Sequence, residues 1–358
     1  MAALESTWRA ALLLALVPGC QDQIIGALPT SDATLDTSVT AGDATGEAES
    51  ETAIDATTDA TTDTTAGTEE PTGPAPTFVA VGQVSRRLVS SDGGSTWPID
   101  LMGVEGDPEE VLTSVTFGED RFVAVGGLDF GRSMVSDDGA TWSEHEDGLP
   151  QLRDVVYGSG MFVAVGWSGR RAWSWDGLSW NDIPVEEPGD LFESIAYGDG
   201  VFVATGWGGL RLRTIDAQQW TNRVTDLGDG LTDVVYGNGR FVAIGRNDGR
   251  VVVSEDGVDW TGEAELGARG KGLCFGDGRF LALGDMRAHL SVDGLAWESY
   301  DVAPTLERCA WGDGVFVATE PQDRRWRSTD GIDWEPVDVA APVGPGLADI
   351  AFGPVLAP

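Results

Sequence analysis

The chain has 358 residues and a formal net charge of -37 at neutral pH, with Lys271 as its single lysine. A surface so acidic repels nucleic-acid backbones and anionic lipid, so neither is expected as a partner. Three cysteines are too few for a disulfide framework, and no apolar run is long enough to span a membrane.

Residues 1–19 read as a signal peptide: Arg9, an apolar run from Ala10 to Val17, then Gly19 directly before Cys20. The cleavage site resembles a bacterial lipobox, with Glu5 and Pro18 departing from the usual pattern. The resemblance implies that Cys20 becomes a lipidated N-terminus. The chain is then an exported lipoprotein, anchored at the outer membrane, in the periplasm or on the cell surface. An ordinary signal peptide with a chance cysteine is the alternative. Residues 20–76 hold the anchor cysteine and an acidic, Thr-rich linker, as in "DATTDATTDTTAGTEEPTGPAP", with no aromatic residue, Lys or Arg after Cys20. Such a segment buries too little apolar surface to offset its ordering entropy, so a disordered tether is expected.

Residues 77–358 repeat. One word is an apolar strand ending in an aromatic and Gly, such as "VLTSVTFG", "LRDVVYG" and "LADIAFG". The second is "FVAVG" at Phe78, Phe122 and Phe162, varied at Phe202, Phe241, Phe280 and Phe316. The third leads into "SSDGGSTW", "SDDGATW", "SWDGLSW", "TIDAQQW", "SEDGVDW", "SVDGLAW" and "STDGIDW", with a short polar strand after the Trp. Asp199-Gly200, Asn238-Gly239, Asp277-Gly278 and Asp313-Gly314 join the first two words as two-residue hairpins. Four antiparallel strands per copy make a blade, and repeated blades make a propeller.

The repeat region opens on a second word at Phe78 and closes on a first word at residues 347–353. Each end lacks what the other supplies. The fold class is therefore all-β: a seven-bladed β-propeller of four-stranded antiparallel blades. Its C-terminal strand completes the first blade, which removes the exposed edges.

"SSDGGSTW" resembles the Asp-box, or bacterial neuraminidase repeat, signature; the other copies are one residue shorter, and "TIDAQQW" lacks the Gly. In style the copies are most similar to seven-bladed lipoproteins of the photosystem II assembly-factor type and to uncharacterised bacterial relatives. The resemblance implies that Asp92, Asp138, Asp176, Asp216, Asp256, Asp293 and Asp330 are scaffold. Each carboxylate would accept backbone N–H groups, and each Trp would lie between blades.

Many Asp-box propellers are sialidases, which use an arginine triad, a Phe/Tyr-Arg-Ile-Pro motif and a Tyr nucleophile assisted by a Glu. No Arg-Ile-Pro is present. Tyr157, Tyr197 and Tyr236 fall in the column of Phe117, Phe275, Trp311 and Phe352 and read as core. Only Tyr300 is off-column, and Glu298 is expected to point to the opposite side of its strand. His145 and His289 have no ligand spacing, so no metal or cofactor is expected. Acidic crossover loops such as "VEEPGD" read as solvated surface rather than as calcium loops. Cys274 and Cys309 are expected to stay unpaired, because packed sheets stand about 10 Å apart.

One column is unusual. Four residues before each phrase lie Arg86, Arg132, Arg170, Arg250, Arg287 and Arg324, with Leu210 the exception and Arg211 beside it. Their turns sit on the face of the blade-to-blade crossovers, and Trp167 and Trp207 occupy the same turns. Two readings stand: intramolecular pairing with a column of inner-strand groups (Ser114, Asp154, Ser194, Asp233, Asp349), or a ligand-binding face with exposed tryptophans. The function expected is that of a non-enzymatic, membrane-tethered, monomeric binding propeller for protein or glycan. A sialidase-like glycoside hydrolase or lyase, and an assembly factor for a membrane complex, are the alternatives.

Overall fold

A computed structural model describes residues 75–103, 111–145, 148–185, 187–225, 228–321, 323–337 and 344–355. The signal peptide, Cys20 and nearly all of the linker lie outside the described residues. Those described form seven four-stranded antiparallel sheets. The first strands of successive blades stand side by side around the axis. Blade 1 takes its innermost strand, Leu347–Val355, from the end of the chain and pairs it with Ala75–Gly82, Phe78 opposite Phe352. The ring closes as the repeat phase requires.

The second word reads as an unbroken apolar run because its strand is covered on both faces. In blade 2, Phe122 and Ala124 pack with Val79 and Val81 of blade 1. Val123 and Val125 of the same strand pack with Phe162 and Ala164 of blade 3. Each interblade layer therefore takes Phe and Ala from one blade and two aliphatics from its neighbour. The glycine ending this word permits a close approach. A Cβ on Gly206 would fall 2.0 Å from the carbonyl oxygen of Leu191, where the turn lies against the start of the first strand.

The aromatic-Gly ending of the first word has a similar cause. A Cβ on Gly118 would fall 2.0 Å from the Tyr157 ring of the next blade, and Gly158 stands in the same relation to Tyr197. Tyr157, Tyr197 and Tyr236 are thus ring-closing aromatics, each half-buried on a neighbour's glycine.

In every Ser/Thr-x-Asp phrase the hydroxyl donates to the Asp, at 2.8 to 3.2 Å. In blade 3, Asp176 Oδ1 also accepts the N–H groups of Leu178 and Ser179, at 2.9 and 2.7 Å. These bonds outweigh partial burial and hold the Asp176 carboxyl below its usual range. The Trp180 indole N–H closes the hairpin on Gly177 O at 3.0 Å. In "TIDAQQW", Ala217 takes the glycine's place and its left-handed backbone, with φ of 57°. A second arginine set crosses the blade boundaries: Arg171, Arg211 and Arg325 lie over Trp220, Trp260 and Trp97 of the following blades, 5.9, 5.5 and 5.6 Å from the rings.

Two expectations are overturned. Cys274 and Cys309 form a disulfide, with Cα atoms 5.8 Å apart. The 10 Å spacing holds where blades pack face to face, whereas first strands converge at the axis and bring their Cα atoms within bonding range. Tyr300 and Glu298 do not point apart. Residues two apart in a strand share a face, and the Tyr300 hydroxyl donates to Glu298 Oε2 at 2.7 Å. The pair sits on the outermost strand of blade 6, Glu298–Asp301.

Candidate functional site

The arginine column does not meet the inner-strand column. Its members reach the outer strand of their own blade or their own turn. Arg86 pairs with Asp100 at 2.8 Å, Arg132 with Glu144 at 3.1 Å, Arg170 with Asp182 at 3.2 Å and Arg287 with Asp301 at 3.4 Å. Arg250 and Arg324 find Asp248 and Glu320 within their turns, each at 3.6 Å. The geometry is that of a clamp between third and outer strands. Exposure grades around the ring, from 3% for Arg86 to 55% for Arg324. Arg86 also bonds the buried Asp323 of blade 7 at 2.5 Å, which Arg325 shares at 3.2 Å, so it ties the closing junction.

The inner column satisfies itself instead. Ser114 donates to Asp154 at 2.7 Å, and Ser194 to Asp233 at 2.8 Å. Asp154 accepts the N–H of Ile195 at 2.8 Å, Asp233 that of Leu273 at 2.7 Å and Asp349 that of Val115 at 3.0 Å. Each aspartate thereby bonds the following blade. Gly272 and Arg308 complete the column, and Arg308 donates to the carbonyl of Lys271. Burial, then the charge of Asp349, pushes the Asp154 carboxyl up to about 7. Burial likewise raises Asp233 and Asp349, although Arg308 opposes it in both.

A different group converges at the crossover ends of blades 3 to 5. The first strands of blades 2 to 5 carry a bulge at Thr113, Arg153, Glu193 and Thr232, which re-aims the extra residue. Glu193, only 4% exposed, becomes a hub. Its Oε1 accepts the Trp167 indole N–H at 3.2 Å and the Trp207 indole N–H, and it forms an ion pair with Arg246 at 3.3 Å. Its Oε2 accepts Arg153 at 3.3 Å. Burial raises this carboxyl, but the two guanidiniums, Arg153 foremost, and the two indole bonds hold it below its usual range. Arg153 lies over the Trp167 ring at 5.0 Å and Arg246 over Trp207 at 5.2 Å.

The two tryptophans differ. Trp167 is 6% exposed, against the expectation, because Arg153 covers it and Glu193 takes its N–H. Trp207 keeps 44% of its surface open. It begins a short turn, Trp207–Gly209, whose backbone is tied to Leu191 O at 3.0 Å. Arg153 and Glu193 escaped the sequence reading, although they stand one place before Asp154 and Ser194 in an aligned column. Only the bulge shows that this place faces the turns.

No family model matches the chain, and no curated protein is similar to it in sequence. Solved structures are similar in fold. Virginiamycin B lyase from Staphylococcus aureus superposes with a TM-score of 0.56 at 10% identity, over 64% of this chain and 85% of that one. YCF48 bound to D1 peptide gives 0.55 at 18% identity, over 76% and 95%. AztD from Citrobacter koseri gives 0.56 at 11% identity, over 78% and 98%. At such identities the likeness is one of fold, a propeller that serves a lyase as well as a peptide binder.

Proposed function

We propose that the protein is an exported, lipid-tethered propeller that binds a protein or glycan partner and performs no chemistry of its own. The observation that carries this reading is the Glu193 hub. It fixes a half-exposed Trp207 beneath Arg246 and bonded to a carboxylate that Arg153 and Arg246 share, on a chain otherwise dominated by carboxylates. A rigid indole with an apolar face supplies contact area at small entropic cost, and arginine beside it supplies directed donors. The hub is poorly suited to acid-base catalysis, because its single carboxylate is held ionised by two cations. Export is supported by the signal-like N-terminus and by the Cys274–Cys309 bond, since disulfides persist in oxidising compartments.

The chain enters the ring at Ala75, which pairs with Val355 on the face of the Asp-Gly hairpins. The first described strand therefore begins on the face opposite the turn that carries Trp207. The test is capture from native membranes with the wild-type chain and with Trp207→Ala/Arg246→Ala. Loss of a captured species in a folded double variant supports the reading. An unchanged set of captured species overturns it.

A further inference from the structure

Arg153 and Arg246 share one carboxylate, so the hub carries one uncompensated positive charge. The Nε–H of each is buried without an acceptor. Both side chains keep part of their surface open, 22% for Arg153 and 33% for Arg246, and there an oxyanion from solvent can meet their remaining donors. Beside them Trp207 is fixed at its N–H and under Arg246, so it serves as a platform rather than as a swinging anchor. The backbone next to the platform is open at Gly208, where a Cβ would meet nothing within 4 Å, while Gly230 packs against Trp207. A ring with equatorial hydroxyls can lie on such an indole, reach exposed peptide groups with its hydroxyls, and place an acid group on the arginines.

We infer that the Trp207–Arg246–Arg153 site binds a carboxylated sugar, a uronic acid unit of an acidic glycan, stacked on Trp207 with its carboxylate toward the two arginines. This rests on the proposed binding role and names the class of ligand. A fixed planar platform on open backbone favours a sugar over a peptide, whose side-chain anchors seek closed pockets.

The probe is a short oligogalacturonate, titrated into the full-length chain in detergent and followed by tryptophan fluorescence and calorimetry. The comparison probe is the same oligosaccharide with its carboxylates reduced to alcohols. Saturable binding of the acidic form, weakened about tenfold or more in the reduced form and in Arg246→Ala, supports the inference. Trp207→Ala should abolish the fluorescence response and weaken binding similarly, with an unchanged melting temperature as the control for folding. Equal binding of both sugars, or binding that survives both substitutions, overturns it. No sugar binding, with capture of a protein that still depends on Trp207 and Arg246, overturns the glycan assignment and leaves the binding role standing. Loss of dependence on both residues in every assay removes both.

Discussion

Gly353 lies beneath the Phe117 ring, so close that an added Cβ would fall 2.1 Å from it. One residue belongs to the last strand of the chain and the other to the innermost strand of blade 2. The ring is thus closed by contact across the blade boundary as well as by the pairing of Phe78 with Phe352. Gly353→Ala should cost about 1–3 kcal/mol through overpacking. Gly189→Ala, where a Cβ meets nothing within 4 Å, should be near neutral. Removing residues 347–358 should leave the Val79 and Val81 strand without its partner and give aggregates in size-exclusion chromatography. A truncated protein that stays monomeric and melts like the full chain would refute closure.

The arginine column separates under mutation. Arg86 is buried between Asp100 and Asp323, so Arg86→Ala strands acidic groups in the closing junction and should cost about 3 kcal/mol or more. Arg324 is exposed and meets Glu320 only at 3.6 Å, so Arg324→Ala should fall within about 0.5 kcal/mol of wild type. Chemical denaturation of the two variants checks this. Equal effects would argue against the clamp geometry.

The disulfide gives a direct assay. In the denatured, unreduced chain, neither Cys274 nor Cys309 should take up a thiol label, and both should do so after reduction. Replacing both with Ala should cost about 2–4 kcal/mol. Labelling before reduction would restore the unpaired state that sheet spacing alone suggests.

Acid-base linkage is concentrated near the axis. Asp154 has a folded pKa of about 7 against a reference of 3.8, through burial and then the charge of Asp349. Between those values the folded chain holds a proton that the unfolded chain has released. The stability from this site is therefore fully present below the reference value, declines as pH rises, and is gone above about pH 7. The slope from one proton is at most about 1.4 kcal/mol per pH unit. The carboxyls of the Ser/Thr-x-Asp phrases, such as Asp138 and Asp176, have the opposite sign, because their pKa values are lowered, and they lose stability in more acidic solution. Melting temperatures at pH 5.5 and pH 8 should differ in the wild type and differ less in Asp154→Asn, where Asp233 and Asp349 remain raised by burial. An identical difference in both proteins would place the titration elsewhere.

Blade number and closure were readable from the sequence because they depend on repeat phase, which survives any local irregularity. The hairpins of the Ser/Thr-x-Asp phrases were readable for the same reason, as seven copies impose one geometry. The hub was not. Arg153 and Glu193 reach the turns through a β-bulge, and a one-residue insertion in pairing leaves no mark on hydrophobic periodicity. The disulfide was misjudged because a propeller has no single sheet spacing; its strands are nearest at the axis. Tyr300 and Glu298 were misplaced by counting, since a period of two puts both on one face.

Trp167 and Trp207 stand at equivalent turns and bond the same carboxylate, so a comparison between them isolates exposure from position. Trp167 is covered by Arg153 and sealed by its neighbours; Trp167→Ala removes a buried indole and a donor to Glu193 and should cost about 3–5 kcal/mol. Trp207 has almost half of its surface in solvent. Its truncation loses one donor to a carboxylate that keeps Arg153, Arg246 and Trp167, so the stability cost should stay near 1 kcal/mol. Binding should follow the reverse order. Trp207→Ala should weaken partner or glycan binding about tenfold or more, as for an aromatic anchor. Trp167→Ala, measured well below its melting temperature, should bind more nearly like wild type. Paired melting and titration of both variants decides the matter: if Trp207→Ala unfolds as readily as Trp167→Ala while binding is untouched, both indoles are scaffold and the hub has no ligand.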